Sequence, residues 1–366
     1  MDPFLTIVDP VTVPPPPAVR AAAHELLVVN AAGRAWAEKH VAPSHDVRLA
    51  GGHLLHAGRR ACLVEDRVNG NGASLCNVAE AVSHLTGEAG WGTDITVIQN
   101  GGEGSRIGRL AGGNKGQVEV LPGLTLYDLA RWEAAVFTPP AQDLVQIAPV
   151  DMLHIPTSPR VLAAVAGSVA GCTLGVACIP VDLRELTPAM LAKWGLAYTA
   201  RGDDRVIGFV EHPGSLEVLR QRVPAEDLAG CDFSFSTFRF FLSTTTLATI
   251  AAAIAPEVSS LGPGLKVDLS DHVIEAVFNA GTPAWRSKQG PALASAGEAI
   301  GRRLLAAGLR VTAVTLGRGA VSEDLGTYAA LDSLGALHHG AEQSFRPIRD
   351  WLDEARSATA RERDHG

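Results

Sequence analysis

The sequence predicts an α/β protein built on a mostly parallel sheet, with its site at the carboxyl ends of the strands. Two observations carry this. From Asp94 onward, strand-like and helix-like runs alternate along the chain. Hydrophobic residues make up 46% of the 366 residues and charged ones 19%. That is a globular composition, with enough chain for one large domain or two modest ones.

Taken in order, residues 1 to about 18 form an extended, Pro-rich lead-in. "AAAHELLVVNAAGRAWAEKH" follows with helical periodicity. Residues 45–90 mix short apolar runs with "NGNGASLCNVAEAVSHL", where a Gly-Asn loop opens a helix. "DITVIQN" is a β-branched strand, "TLYDLARWEAAVF" an amphipathic helix, and "LVQIAPVDMLHI" a second strand with an acid near its end. Val161 to Val181 carries no charge and is long enough to span a bilayer. Gly167, Gly171 and Gly175 punctuate it, so it is read as a buried helix, a turn and a buried strand, with no membrane span. "RVIGFVEHP", "DFSFSTFRFFLS" and "RVTAVTLG" are strands, with helices over "STTTLATIAAAIA" and "GEAIGRRLLAAGL". The polar tail from Arg356 is expected to fray.

A net charge of −8 excludes a general nucleic-acid binder, which needs a basic surface. Five scattered cysteines without CxxC spacing indicate neither a zinc site nor a disulfide framework, and a reduced cytoplasm is the expected setting. Asp2 and the "PPPP" run at Pro14 to Pro17 are unlike a signal peptide.

The chemistry concentrates in "VIQNGGEGSRIGRLAGGNKG", Val97 to Gly116. Glycine-rich backbone behind a strand can converge its N–H groups on phosphate oxygens, and Arg106 and Lys115 can add charge to the same group. It is not a Walker loop, since no hydroxyl residue follows Lys115. It is not a dinucleotide fingerprint either, because the last glycine spacing is wrong.

These residues resemble the signature of the sugar-1-phosphate nucleotidyltransferases, a GG-x-G-[ST]-R loop followed by a lysine. Here it reads Gly101, Gly102, Glu103, Gly104, Ser105 and Arg106, then Lys115. Asn114-Lys115 in place of Pro-Lys, and the short gap from Arg106, look more like the fucose-1-phosphate guanylyltransferase branch. So does "NGNGASLCNV", with Asn71 and Gly72. The resemblance implies a Rossmann-like, mostly parallel mixed sheet with helices on both faces. It implies Mg2+ held by Asp151, at the end of "QIAPVD", and by Asp324 of "AVSEDLGT". "GFVEHPG" is similar to the family's F-x-E-K-P segment, with Glu211 matching a sugar contact and His212 standing where the family has a phosphate-binding lysine. Lys266, Arg239, Arg286 or Lys288 could compensate. The implied organisation is a lead-in and accessory segment over 1–60 and a nucleotidyltransferase domain over 61–335. That domain includes a sugar-binding part from about 205, and 336–366 form a C-terminal helix and tail.

Each feature also has a plainer structural reading. A lone aspartate is more often a helix cap or turn residue. Glu211-His212 could cap an edge strand, and the Asp271–Glu275 spacing marks a solvated helix face. His338 and His339 read as surface. The function implied is transfer of a nucleotidyl group from a nucleoside triphosphate, GTP favoured, to a sugar- or cyclitol-1-phosphate. Asn100 to Gly102 and Asn69 to Ser74 would line the base pocket. The competing readings are a small-molecule kinase and an inactive nucleotide-binding regulatory module. A homodimer is one assembly the sequence allows.

Overall fold

The computed structural model describes residues 24–67, 70–100, 114–139, 143–262, 265–339 and 346–365. The chain begins with β1 (His24–Asn30), α1 (Arg34–Val41), β2 (His45–Leu49), β3 (Gly52–Ala57), β4 (Arg60–Glu65), α2 (Asn71–Gly87) and β5 (Asp94–Gln99). Next come β6 (Glu119–Leu121), β7 (Leu124–Thr125), α3 (Leu126–Val136), β8 (Leu144–Pro149) and β9 (Met152–Ile155). Then follow α4 (Val161–Ser168), β10 (Thr173–Val181), α5 (Pro188–Lys193), β11 (Leu196–Ala200), β12 (Val206–Val210), α6 (Leu216–Arg222), α7 (Ala225–Gly230) and β13 (Cys231–Leu242). The remainder is α8 (Thr244–Ser260), a π-helical turn (Leu269–Ile274), α9 (Glu275–Asn279), α10 (Pro283–Gln289), α11 (Pro291–Ala306), β14 (Arg310–Thr315), β15 (Val321–Asp324), α12 (Tyr328–His339) and α13 (Arg346–His365).

The main sheet runs β12-β11-β13-β8-β5-β1-β4-β3-β2, with β10 on β13 and β14 on β10. Its centre, β4-β1-β5-β8, is parallel throughout, so four strand ends point the same way. The flanks are antiparallel: β2 and β3 on one side, β13, β11 and β12 on the other. Helices cover both faces. Leu26 and Val28 of β1 pack with α2, α8 and α11, while Leu27 and Val29 pack with α1, α3 and α13. The α/β class therefore holds, with parallel order in the middle of the sheet and again between β10 and β14.

Five local expectations change. The helical periodicity over residues 21–40 gives way to a strand, and only Arg34–Val41 is helical. Leu26 to Val29 are at most 1% exposed between β5 and β4. Burying each such side chain stabilises by about 1.5–3 kcal/mol, which outweighs helix propensities of a few tenths. "LVQIAPVDMLHI" is not one strand: β8 stops at Pro149, which has no N–H to donate, and Asp151 occupies the corner before β9. The tail from Arg356 is not frayed, because α13 runs on to His365. Trp351, Leu352, Ala355 and Thr359 bury one stripe of it, and Arg363–Asp128 and Arg131–Glu362 pair it to α3. The Asp271–Glu275 face is not solvated. Glu275 is fully buried and paired with Arg222 and Lys288.

The uncharged run 161–181 does fold as α4, a turn and β10. Among the described residues, no helix is long and apolar enough to cross a membrane. His338 is half-buried and bonds Asp353 of α13 at 3.0 Å, which removes it from the open surface.

Candidate active site

A cleft of about 690 Å3 opens above the carboxyl ends of the parallel strands, with Gln99 of β5, Pro149 of β8 and Glu65 of β4 on its floor. Eight of the residues singled out in the sequence line it: Gly70, Asn71 and Ser74 of the expected base segment, and Lys115, Asp151, His212, Lys266 and Asp324. Arg106 and Gly101, Gly102, Glu103, Gly104 and Ser105 lie outside the described residues.

The two ends of that glycine segment are held together. Asn100 is fully buried at the end of β5; its Oδ1 accepts from the Gly116 N–H at 2.8 Å and its Nδ2 donates to Asn114 Oδ1. Lys115, on the next short turn, forms an ion pair with Asp151. Asp151 and Asp324 share a corner. β9 and β15 pair antiparallel with Met152 opposite Asp324, and the Leu325 N–H donates to the Asp151 carbonyl at 2.7 Å. Asp324 Oδ1 accepts from the Gly326 N–H at 2.8 Å, which fixes the carboxylate.

Two carboxylates, one in the corner before β9 and one at the end of β15, beside this cleft suit Mg2+, which takes one or two protein carboxylates and completes its shell with waters and phosphate oxygens. Asp151 and Asp324 would hold it. Lys115 engages Oδ2 of Asp151 and leaves Oδ1. Among the described residues, no group of three or more His, Cys, Asp or Glu is arranged to hold a metal on its own.

Beneath this corner lies a buried charge network. Glu133, His154 and Arg239 are all fully buried. Glu133 Oε1 accepts from the His154 N–H at 2.8 Å, and its Oε2 accepts from Arg239 at 2.9 Å. The His154 ring bonds the Thr237 carbonyl at 2.9 Å, tying β9 to β13. Burial lowers the His154 pKa.

The far wall holds His212 and Phe238, and Glu211 lies buried behind His212 and does not line the cleft. Glu211 is 1% exposed and meets His212 Nε2 at 2.9 Å. Burial raises the Glu211 pKa, and the bond from Glu211 raises that of His212. Gly195 makes room for this carboxylate, since a Cβ there would lie 2.0 Å from Glu211 Oε2. His212 (φ 43°) and Phe238 (φ 59°) both hold left-handed backbone, an uncommon strain that clusters at functional sites. Phe238 sits where the β13–β10 register shifts, and it stacks on Trp194 at 5.8 Å.

The candidate replacements for the missing lysine separate clearly. Arg239 is spent in the buried network, and Arg286 pairs with Glu298 away from the cleft. Lys288 is held by Asp271, Glu275 and the Glu211 carbonyl. Lys266 lines the cleft. So does Lys193 of α5, which bonds Glu323 at 2.8 Å; its sequence context, "LAKWG", gives no hint of the role. Phe238 and Glu65 likewise carried no signal in the sequence.

At α2 the first N–H groups are already taken. Gly72 and Ala73 both donate to the Val267 carbonyl, at 2.9 and 3.2 Å. Gly72 is a close-packing position, since a Cβ would lie 2.9 Å from Val267 O. Asn71 Oδ1 accepts from the Leu269 N–H at 2.8 Å.

No family model matches the chain, and no curated protein does. Among solved structures it is similar to HddC from Yersinia pseudotuberculosis complexed with GMP-PN, at 9% identity and TM-score 0.29 over 75% of this chain. It covers 65% of HddC, just under two thirds. It is also similar to mannose-1-phosphate geranyltransferase from Thermus thermophilus, at 13% identity and TM-score 0.31, over 85% of this chain and 78% of that one.

Proposed function

We propose that the protein is a nucleotidyltransferase that joins a sugar- or cyclitol-1-phosphate to a nucleoside triphosphate, with GTP favoured. One observation carries the reading: Lys115, Asp151 and Asp324 converge on a cleft at the carboxyl ends of parallel strands. The acceptor phosphate oxygen attacks the α-phosphorus, the bond from that phosphorus to the β-bridging oxygen breaks, and pyrophosphate leaves. The nucleophile is already an anion, so positioning and charge neutralisation suffice without a general base. Bound Mg2+ would supply Lewis-acid stabilisation of phosphate charge. Lys115 is the cation for the α-phosphate. Arg106, which lies outside the described residues, keeps the role implied by the resemblance, neutralising the leaving pyrophosphate. Lys193 and Lys266 are the cleft-lining cations that would meet the acceptor, and Phe238 offers a ring face in the same cleft.

The occupied N–H groups at the start of α2 disfavour "NGNGAS" as a kinase phosphate loop. The deciding experiment is a matrix of nucleoside triphosphates against sugar and cyclitol phosphates, read by pyrophosphate release. Nucleoside diphosphate as the product would establish the kinase; bound nucleotide without turnover would establish the regulatory module.

Two outcomes follow on the acceptor side. Phe238→Ala raises acceptor KM about tenfold with nucleotide KM little changed, the scale of one aromatic contact; equal effects on both substrates would contradict the acceptor-side placement. His212 carries charge below its raised pKa and loses it as pH climbs past that value, above the ordinary 6.5. Acceptor KM therefore rises across that interval, and His212→Lys flattens the profile. A profile identical in the two proteins would remove His212 from acceptor binding.

A further inference from the structure

A second hollow, of about 980 Å3, adjoins the cleft, and Glu65 and Ser74 line both. One side of it is apolar, formed by Ala73 of α2, Val258 of α8 and then Leu261, Leu265 and Val267. Glu65 and Asn77 contribute polar groups to the same space. Glu65 is the last residue of β4, which pairs parallel with β1, so it stands on the edge of the sheet where open α/β folds take ligands.

The Glu65 carboxylate is built in. It is 6% exposed, and its Oε1 accepts from Asn77 Nδ2 at 2.8 Å. Asn77 is seated against bare backbone: a Cβ on Gly51 would lie 2.0 Å from its Oδ1. An ionised carboxylate has about four acceptor positions, and burying one with few donors is unfavourable. Burial accordingly pushes the Glu65 pKa up against the pull of Asn77 and Ser74. Such a group has capacity for further donors from a ligand.

We infer that this hollow takes the base of the nucleoside triphosphate and that Glu65 selects guanine. The inference rests on the transferase reading and deepens it. Guanine presents N1–H and its 2-amino group side by side, two donors that match two carboxylate oxygens. Adenine and cytosine offer one amino group beside an acceptor nitrogen. Uracil offers one N–H between two carbonyls, whose lone pairs would face the carboxylate. The second amide hydrogen of Asn77 remains for guanine O6, and the apolar side covers the ring.

The test is equilibrium binding with Mg2+ present, by competition against a fluorescent GTP analogue, for GTP, ITP, ATP and UTP. ITP lacks only the 2-amino group, so one charge-assisted hydrogen bond separates it from GTP. The wild-type protein should prefer GTP over ITP by roughly 10–100-fold. Glu65→Gln should bring that ratio close to one, with ATP and UTP affinities and Tm little changed. Val258→Trp, which fills the hollow, should weaken every triphosphate alike. Glu65→Gln with an unchanged GTP/ITP ratio, or Val258→Trp with wild-type GTP affinity, would overturn the assignment. Wild-type protein that binds all four triphosphates equally would overturn it too and leave the transferase reading standing. Binding of none would remove both.

Discussion

Asp151→Asn is expected to lower kcat for pyrophosphate release by on the order of 10³-fold, while the protein stays folded. The residue occupies the corner between β8 and β9, faces the cleft and pairs with Lys115. Its replacement removes one carboxylate from the proposed Mg2+ site and one partner from the lysine. Asp324→Asn should fall by a similar factor, because its strand is hydrogen-bonded to that of Asp151. If both carboxylates serve one ion, the double variant should lose little more than either single one, since groups acting as a unit are strongly non-additive. Multiplicative losses would point to separate roles. Wild-type-like turnover by either single variant would refute the site. The Mg2+ concentration for half-maximal rate should also rise in each, a change that a purely structural defect would not produce.

Glu133→Gln is expected to destabilise the fold by about 3–5 kcal/mol, because it leaves the Arg239 guanidinium buried without its counter-charge. A Tm drop on the order of 5–10 °C is the corresponding readout. Adding Arg239→Met should recover part of the loss, since a buried ion pair replaced as a unit by apolar groups is often tolerated. Failure of the double variant to improve on Glu133→Gln would show that the hydrogen bonds to His154, not the ion pair, dominate. Either way the corner should suffer. His154 lies on β9, three residues beyond the Asp151 corner, and Glu133 holds the backbone N–H of His154.

Much of the candidate site was legible because its chemistry is local. A β-branched strand followed by a glycine-rich segment and Lys115, and an acid after the next strand, are patterns within a few residues. Asp324, nearly two hundred residues on, was found only through its resemblance motif, and pairing of β9 with β15 brings it to Asp151. Where sequence reading departed from the fold, long-range packing had overridden a local signal. "HELLVVN" followed a helical period, yet burial on both faces between β4 and β5 made it a strand. Asp271 and Glu275 showed solvated spacing, yet Arg222 and Lys288, from α6 and α10, close over them. The polar tail carried enough apolar positions to dock as α13 once α3 supplied the opposing surface.

By itself, then, the sequence determined the α/β class, which follows from residue type and spacing along a few turns of chain, while the glycine-rich segment was an expectation for phosphate and the two acids came from the resemblance. Only the tertiary structure decided which cations line the cleft. Arg239, Arg286 and Lys288 are held by Glu133, Glu298 and the Asp271–Glu275 pair and do not line the cleft, whereas Lys266 and Lys193, the latter also bonded to Glu323, do line it. What a charge can do for a ligand depends on where the fold puts it and on which opposite charges lie beside it, and those partners come from elements far apart in the chain.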